Sequence, residues 1–326
     1  MSVAADLSPR VGVSTWLFGA LKSLFLGTLL CLSAPTSLIA LGWFMRRMRF
    51  VAHRRAGLPA ERPGWVMGHG AGVTRWLGGL SANIREGVMA AVSLALATAP
   101  FTLVWLLSWW AGWENSFSKG YEQAFVGPLL GLGGVFVFCL LMIWLPLALV
   151  HQAVENRALA LFEWRMVRSV VRHSGWAYLF FACATVIFAL PLFAGRGLVT
   201  FASGLVPGFD DFTIKQAADL AATINLALAA YAFLALVILR GWSARIYAHA
   251  VARALDGADK ALWAASPLAN SSLRGRRSWK VTHWLRTVLL SVIWFGLAAQ
   301  IFVGQFLNHD WHLWVTHPFL LLPWPG

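Results

Sequence analysis

Along this chain, long runs of apolar residues alternate with shorter stretches that hold nearly all the charge. Six runs, at residues 24–45, 88–110, 127–150, 176–194, 220–239 and 285–306, are long enough at 1.5 Å per residue to cross about 30 Å of hydrocarbon. In lipid the backbone polar groups of such a run must pair within the segment, so each predicts a helix. The expected fold is all-α, a polytopic transmembrane helical bundle of about six spans over residues 24–306. An N-terminal segment, 1–23, precedes it, and an aromatic, outward-facing tail, 307–326, follows.

Four of the runs contain a proline, at Pro35, Pro100, Pro146 and Pro191. Each removes a helical hydrogen bond and predicts a kink in its span. The strings Ser33-Ala34-Pro35 and Thr98-Ala99-Pro100 lie in oppositely directed spans, as an inverted repeat would place them. Proline is also common in membrane helices without any repeat. For the first run Pro35 leaves a second reading open: a re-entrant pair of short helices that returns the N-terminus to the side it started from.

Composition narrows the class. Hydrophobic residues make up 59% of the 326 and charged ones 12%, with a mean hydropathy of +0.67. A soluble domain carries about 25% charged residues. A soluble enzyme, a disordered chain and a disulfide scaffold are thereby excluded. Cys31, Cys139 and Cys183 all sit in apolar runs without a CxxC pair, so no cysteine metal site is expected. The first apolar stretch is interrupted by Lys22 and too long for a cleavable signal, so the mature chain is expected to begin near Met1.

The net charge of +13 is distributed as a topology signal. Segments 46–85, 151–175 and 240–286 hold 8, 4 and 9 Lys/Arg, whereas the alternate loops hold only Lys119, Arg196 and Lys215. By the positive-inside rule the rich segments are cytoplasmic in a bacterial inner membrane, and the C-terminus lies outside. No helix-turn-helix, zinc-finger or RNA-recognition signature accompanies the charge, so no nucleic-acid partner is expected. Anionic lipid is the expected partner, with a membrane protein or a second copy of the chain beside it. Between residues 155 and 172, Leu159, Phe162, Met166 and Val170 line one helical face and Arg157, Arg165, Arg168 and Arg172 the other. That pattern predicts a helix lying on the inner leaflet with its arginines on lipid headgroups. An ordinary inter-span helix packed on its neighbours has the same pattern.

Candidate chemistry is sparse. The spans are nearly free of ionisable groups, which argues against ion-coupled transport. Their polar positions include Thr98, Thr102, Asn225 and Gln300, readable as lining for a neutral-solute path or as bonds between helices. Gly127, Gly131, Gly133 and Gly134 predict close helix packing rather than a nucleotide loop, since no Lys-Ser/Thr follows. In the tail, His309, Asp310 and His312 are weak metal-ligand candidates; polar residues at the water boundary have the same look. Trp105, Trp109, Trp110 and Trp113 mark one interface, and Trp176, Trp242 and Trp284 the other. No GxSxG, HExxH, P-loop or paired-carboxylate arrangement appears, so neither catalysis nor a cofactor is expected.

Two functions from different classes remain. The favoured one is a structural or accessory membrane protein that packs with partner subunits or organises lipid. The alternative is a transporter or channel for a neutral or lipidic small molecule.

Several strings also resemble an uncharacterised bacterial family of multi-spanning membrane proteins, a domain of unknown function. They are Gly42-Trp43-Phe44-Met45-Arg46-Arg47-Met48-Arg49, Asn83-Ile84-Arg85-Glu86-Gly87, Phe162-Glu163-Trp164-Arg165-Met166-Val167-Arg168, Ala189-Leu190-Pro191-Leu192-Phe193 and Arg240-Gly241-Trp242-Ser243-Ala244-Arg245. The resemblance covers about residues 38–254 and implies a multi-spanning fold, with no reaction or ligand attached.

Overall fold

The computed structural model describes residues 13–68, 73–113, 126–273, 275, 282–308 and 317–325. Every regular element among them is helical. In chain order these are α1 (Val13–Leu30), α2 (Ala34–Arg55), α3 (Val73–Trp113), α4 (Val126–Met142), α5 (Leu145–Glu155), α6 (Trp164–Ser174), α7 (Trp176–Thr200), α8 (Ala202–Leu205), α9 (Ile214–Leu255) and α10 (His283–Asn308).

Among the described residues four helices are long and apolar enough to cross a membrane: α3, α7, α9 and α10. A fifth crossing exists if α4 and α5, bent by 45° at a short break, are taken together. The expected run 127–150 is thus two helices, with Pro146 in the first turn of the second. There its missing N–H removes no bond, because first-turn amides have no intrahelical partner. Pro35 occupies the equivalent place in α2. Pro100 and Pro191 instead lie inside α3 and α7, which run on without interruption.

The expected span 24–45 requires correction. The chain breaks at Cys31-Leu32-Ser33, and the two helices fold back on each other. Ser23 Oγ accepts a 3.4 Å bond from Trp65 Nε1, and the Trp65 ring stacks on Trp43 at 4.4 Å. In one straight helix Ser23 and Trp43 would stand about 30 Å apart. Phe233 wedges into the fork, against Trp43 and directly above Gly27. Hydroxyls cover the break: Thr36 Oγ1 donates to Leu30 O and lies 2.8 Å from Ser33 Oγ.

Helices α3 and α9, with 41 and 42 residues, are each about 60 Å long, twice the hydrocarbon thickness. Their Arg-bearing ends project together and, with the end of α2, α5, α6 and the turns around Trp263, build a packed basic layer continuous with the bundle. Met48, Ala52, Val150, Ala153, Val167, Val170, Tyr247 and Trp263 are buried there. Neither connecting segment holds a core by itself; the two pool their apolar residues around shared helix ends.

Three other expectations change. Residues 155–172 are not one helix: α5 ends at Glu155, Asn156 turns left-handed at φ 54, and α6 begins only at Trp164. The apolar face of α6 packs on α9 rather than on a leaflet, with Val167, Val170 and Val171 buried and Leu159 left outside. Gly175, at φ 63, makes the sharp exit into α7. Of the tail expected to face outward, His317 and Phe319 to Leu321 are instead buried in the bundle. Trp105 is no interface anchor either, being fully buried with its Nε1 donating to Gly131 O.

Helices α2 and α3 cross with their backbones in contact at Gly42 and Gly87. A Cβ on Gly42 would overlap Asn83 O, and one on Gly87 would overlap Leu38 O. Backbone cannot yield as a side chain can, so Gly42→Ala is expected to destabilise the fold by about 1–3 kcal/mol. Gly133→Ala, inside α4 where nothing lies within 4 Å, should be neutral or stabilising, by up to about 1 kcal/mol. Reversible unfolding in mixed micelles compares the two.

Candidate functional site

The polar groups of the basic layer form two connected networks. The first surrounds the α2–α3 crossing. One turn beyond Gly42, Arg46 Nη1 donates to Asn83 Oδ1 at 2.9 Å and to Gly64 O and Gly79 O at 3.2 Å. Asn83, itself fully buried, donates from Nδ2 to Gly64 O and Trp65 O. Two turns beyond Gly42, Arg49 pairs with Glu86, donates to Ala153 O at 2.7 Å and to Asn156 Oδ1 at 2.9 Å. Glu86 is 2% exposed, so this ion pair is largely out of water. Such a pair persists only when the remaining donors also find acceptors, as they do here.

The second network is centred on His151, which is fully buried on α5. His151 Nδ1 lies 2.7 Å from Tyr247 Oη, and His151 Nε2 lies 2.8 Å from Glu163 Oε2. An ionised carboxylate only accepts, so Nε2 carries the proton and Nδ1 accepts from the tyrosine. Glu163 also takes a 2.8 Å bond from Arg157. Trp263 packs edge-on against His151 and donates from Nε1 to Ser169 Oγ, which donates to Asp259 Oδ2 at 2.6 Å. Every hydrogen-bonding atom of the imidazole and the phenol is engaged, and the centre is closed to solvent.

Beside that network lies a polar groove lined by Arg165, Arg168, Ser169, Arg172, Asp259 and Leu262. Three of the four arginines expected at lipid headgroups meet here, side chains outward and without an ion pair among the described residues. Arg157 stands apart, committed to Glu163 and Glu155.

Within the spans the polar candidates are scattered. Thr98 Oγ1 donates to Leu94 O of its own helix. Thr102 is half-buried on α3, and Asn225 is exposed on the outer surface of α9. Gln300 Nε2 ties α10 to α7 through Val186 O at 3.2 Å. Gly127, Gly131 and Gly134 are buried where α4 meets α3, with Ser108 Oγ donating to Gly127 O at 2.6 Å, while Gly133 faces outward. The metal-ligand candidates His309, Asp310 and His312 lie outside the described residues, and no group of His, Cys, Asp and Glu among the described residues has metal-binding geometry.

Arg240 sits deep in α9, 9% exposed, on the wall of an apolar cavity where α5, α7 and α10 converge. At the boundary of an apolar run it reads as a topology signal; the signal for burial was the apolar, small-residue stretch that continues beyond it to Leu255. The Arg46–Asn83 and Arg49–Glu86 pairs, each 37 residues apart, leave no local signal.

Comparison with protein-family models, curated proteins and solved structures finds no match.

The Glu163 contacts make stability depend on pH. Burial alone would raise its carboxyl, but the His151 bond and the Arg157 charge outweigh burial and hold it below 4.5. A carboxyl depressed in the folded state contributes stability that is fully present above 4.5 and lost as pH falls through the lower folded value. Thermal unfolding across that acid range should therefore show a steeper loss for the wild type than for Glu163→Gln.

Proposed function

We propose that this chain is an integral membrane structural or accessory protein, without chemistry of its own, that organises anionic lipid around its basic layer and packs with a partner membrane protein. The observation that carries this reading is the groove of Arg165, Arg168 and Arg172, three guanidiniums without an ion pair among the described residues, on a helix whose other face is locked onto α9. Rigid, outward cations suit lipid phosphates, and Arg offers them two parallel donors.

Two further features support it. Span hydroxyls at Thr98, Thr185 and Ser291 bond back to their own helices, and Thr98, Thr102, Asn225 and Gln300 do not converge on one cavity. That disfavours a conduit for a neutral polar solute. The flank of α3 and α4, with Val92, Leu96, Leu103, Leu129, Leu132 and Phe136 exposed, offers apolar surface equally to acyl chains and to another membrane helix. His151, the best-placed titratable group, is sealed between Tyr247 and Glu163, which fits a positioning role rather than catalysis.

In the proposed topology the basic layer faces the cytoplasm of a bacterial inner membrane. The α1–α2 hairpin enters and leaves on that side, and five crossings then bring the C-terminus outside. Membrane-impermeant thiol labelling checks the hairpin: Lys22→Cys and Arg54→Cys should react from the same side, whereas a single full crossing puts them on opposite sides. For the lipid role, replacing Arg165, Arg168 and Arg172 together by Gln should remove most of the extra thermal stability conferred by phosphatidylglycerol over phosphatidylcholine nanodiscs. An unchanged difference between the two lipids would sink it.

A further inference from the structure

Two donors border the cavity beside Arg240 without an acceptor among the described residues. The Arg240 guanidinium makes no hydrogen bond or ion pair with any described residue, although the residue is 9% exposed. Trp294, on α10 and fully buried, lines the same cavity with its Nε1–H unpaired. The hydroxyls nearby add no donor, because Thr185 Oγ1 donates to Phe181 O and Ser243 Oγ to Arg240 O. The rest of the wall is apolar, including Leu145, Phe181, Leu236 and, from the tail, Phe319 and Leu320. A guanidinium so largely removed from bulk water and given no protein acceptor is costly unless water or a ligand in the cavity meets it. Arg46 and Arg49, on α2, show the alternative, each surrounded by three acceptors.

We infer that this cavity is the binding site of a single-chain fatty acid, its carboxylate seated on Arg240 and the Trp294 Nε1–H. Three features select that class. The wall holds one cation, which matches a monoanion; a phosphomonoester would bring a second charge with no partner. Two parallel guanidinium donors fit the two carboxylate oxygens, and the indole supplies a third donor. The free space is about 40 Å³, room for roughly three waters and hence for a carboxylate rather than a bulky phosphodiester headgroup. The acyl chain leaves through the open side of the cavity along its apolar wall. This site does not depend on the scaffold role proposed above, since it uses none of the α6 arginines.

The test is thermal unfolding of the delipidated full-length protein in maltoside, titrated with palmitate, methyl palmitate or phosphatidylglycerol. Palmitate should raise the unfolding temperature in a saturable way, and methyl palmitate, which lacks the charge, should not. Arg240→Met should abolish the response while unfolding no earlier than the wild type, because it removes a buried charge that has no protein partner. Trp294→Phe should keep the fold and weaken apparent palmitate affinity by about 2–10-fold, the effect of one hydrogen bond. Equal stabilisation by methyl palmitate, a palmitate response that survives Arg240→Met, or unchanged affinity in Trp294→Phe overturns the proposal. So does a response confined to phosphatidylglycerol, which would assign the cavity to a phosphodiester lipid. The triple Gln variant of α6 should retain the full palmitate response, so failure of the lipid-scaffold reading and failure of this one register separately.

Discussion

Where α2 crosses α3, two glycines let the backbones touch, and much of the basic layer follows from that contact. Gly42 abuts Asn83 O and Gly87 abuts Leu38 O, leaving no space for side chains or water between the helices. Arg46 and Arg49, one and two turns further along α2, are carried into the same crowded region and must find acceptors within reach. They find Asn83 and Glu86 on α3, then carbonyls brought from elsewhere: Gly64 from the segment after α2 and Ala153 from the end of α5. Asn156, held by Arg49 Nη2, turns left-handed, a conformation asparagine tolerates better than most residues. One close approach thus fixes how the segment 56–68, α3 and α5 lie relative to α2.

That arrangement explains how so little chain outside the apolar runs yields a packed layer. Because α3 and α9 continue well past hydrocarbon length, each connecting segment has a rigid wall to pack on. His151, Tyr247 and Trp263 come from three different stretches, and their ring contacts and bonds close the layer over α5. The same continuity puts Arg240 in an environment its sequence position does not announce. It lies partway along a helix that goes on for fifteen residues more, with apolar neighbours on α5, α7 and α10.

Hydropathy made the helical, membrane-type character legible, since 20 apolar residues in lipid have one satisfactory conformation. It did not decide where a run breaks, leaving one span and a re-entrant pair both open at Pro35. The four prolines look alike in sequence, yet two begin a new helix and two sit within continuous ones. What separates Pro35 from Pro100 is the hydroxyl cover: Thr36, in contact with Ser33 Oγ, bonds the Leu30 and Ser33 carbonyls at the break, whereas Thr98 bonds only to its own helix. The stripe on α6 was readable as amphipathic, but an apolar face reads the same whether it meets lipid or α9. The strings around Gly42 and Asn83 stood out individually; that they are the two halves of one contact depends on a helix crossing, which no local pattern encodes.

The tryptophans follow the same logic. Trp105, expected at an interface, packs instead on Phe101 and Phe138 while bonding Gly131 O, and Trp43 likewise stacks on Trp65 beside Phe233 and donates to Pro63 O. In each, ring area fills the gap and the indole N–H answers a carbonyl left open by close helix packing. Other partly unsatisfied groups in the chain have a bond elsewhere, as with Gln152 and Gln300 through their Nε2 atoms, or a ring beneath them, as with Arg47 over Trp43. Trp294 and Arg240 share one cavity and have neither. Two donors without a protein acceptor on the wall of one small cavity mark where an acceptor from outside the chain belongs.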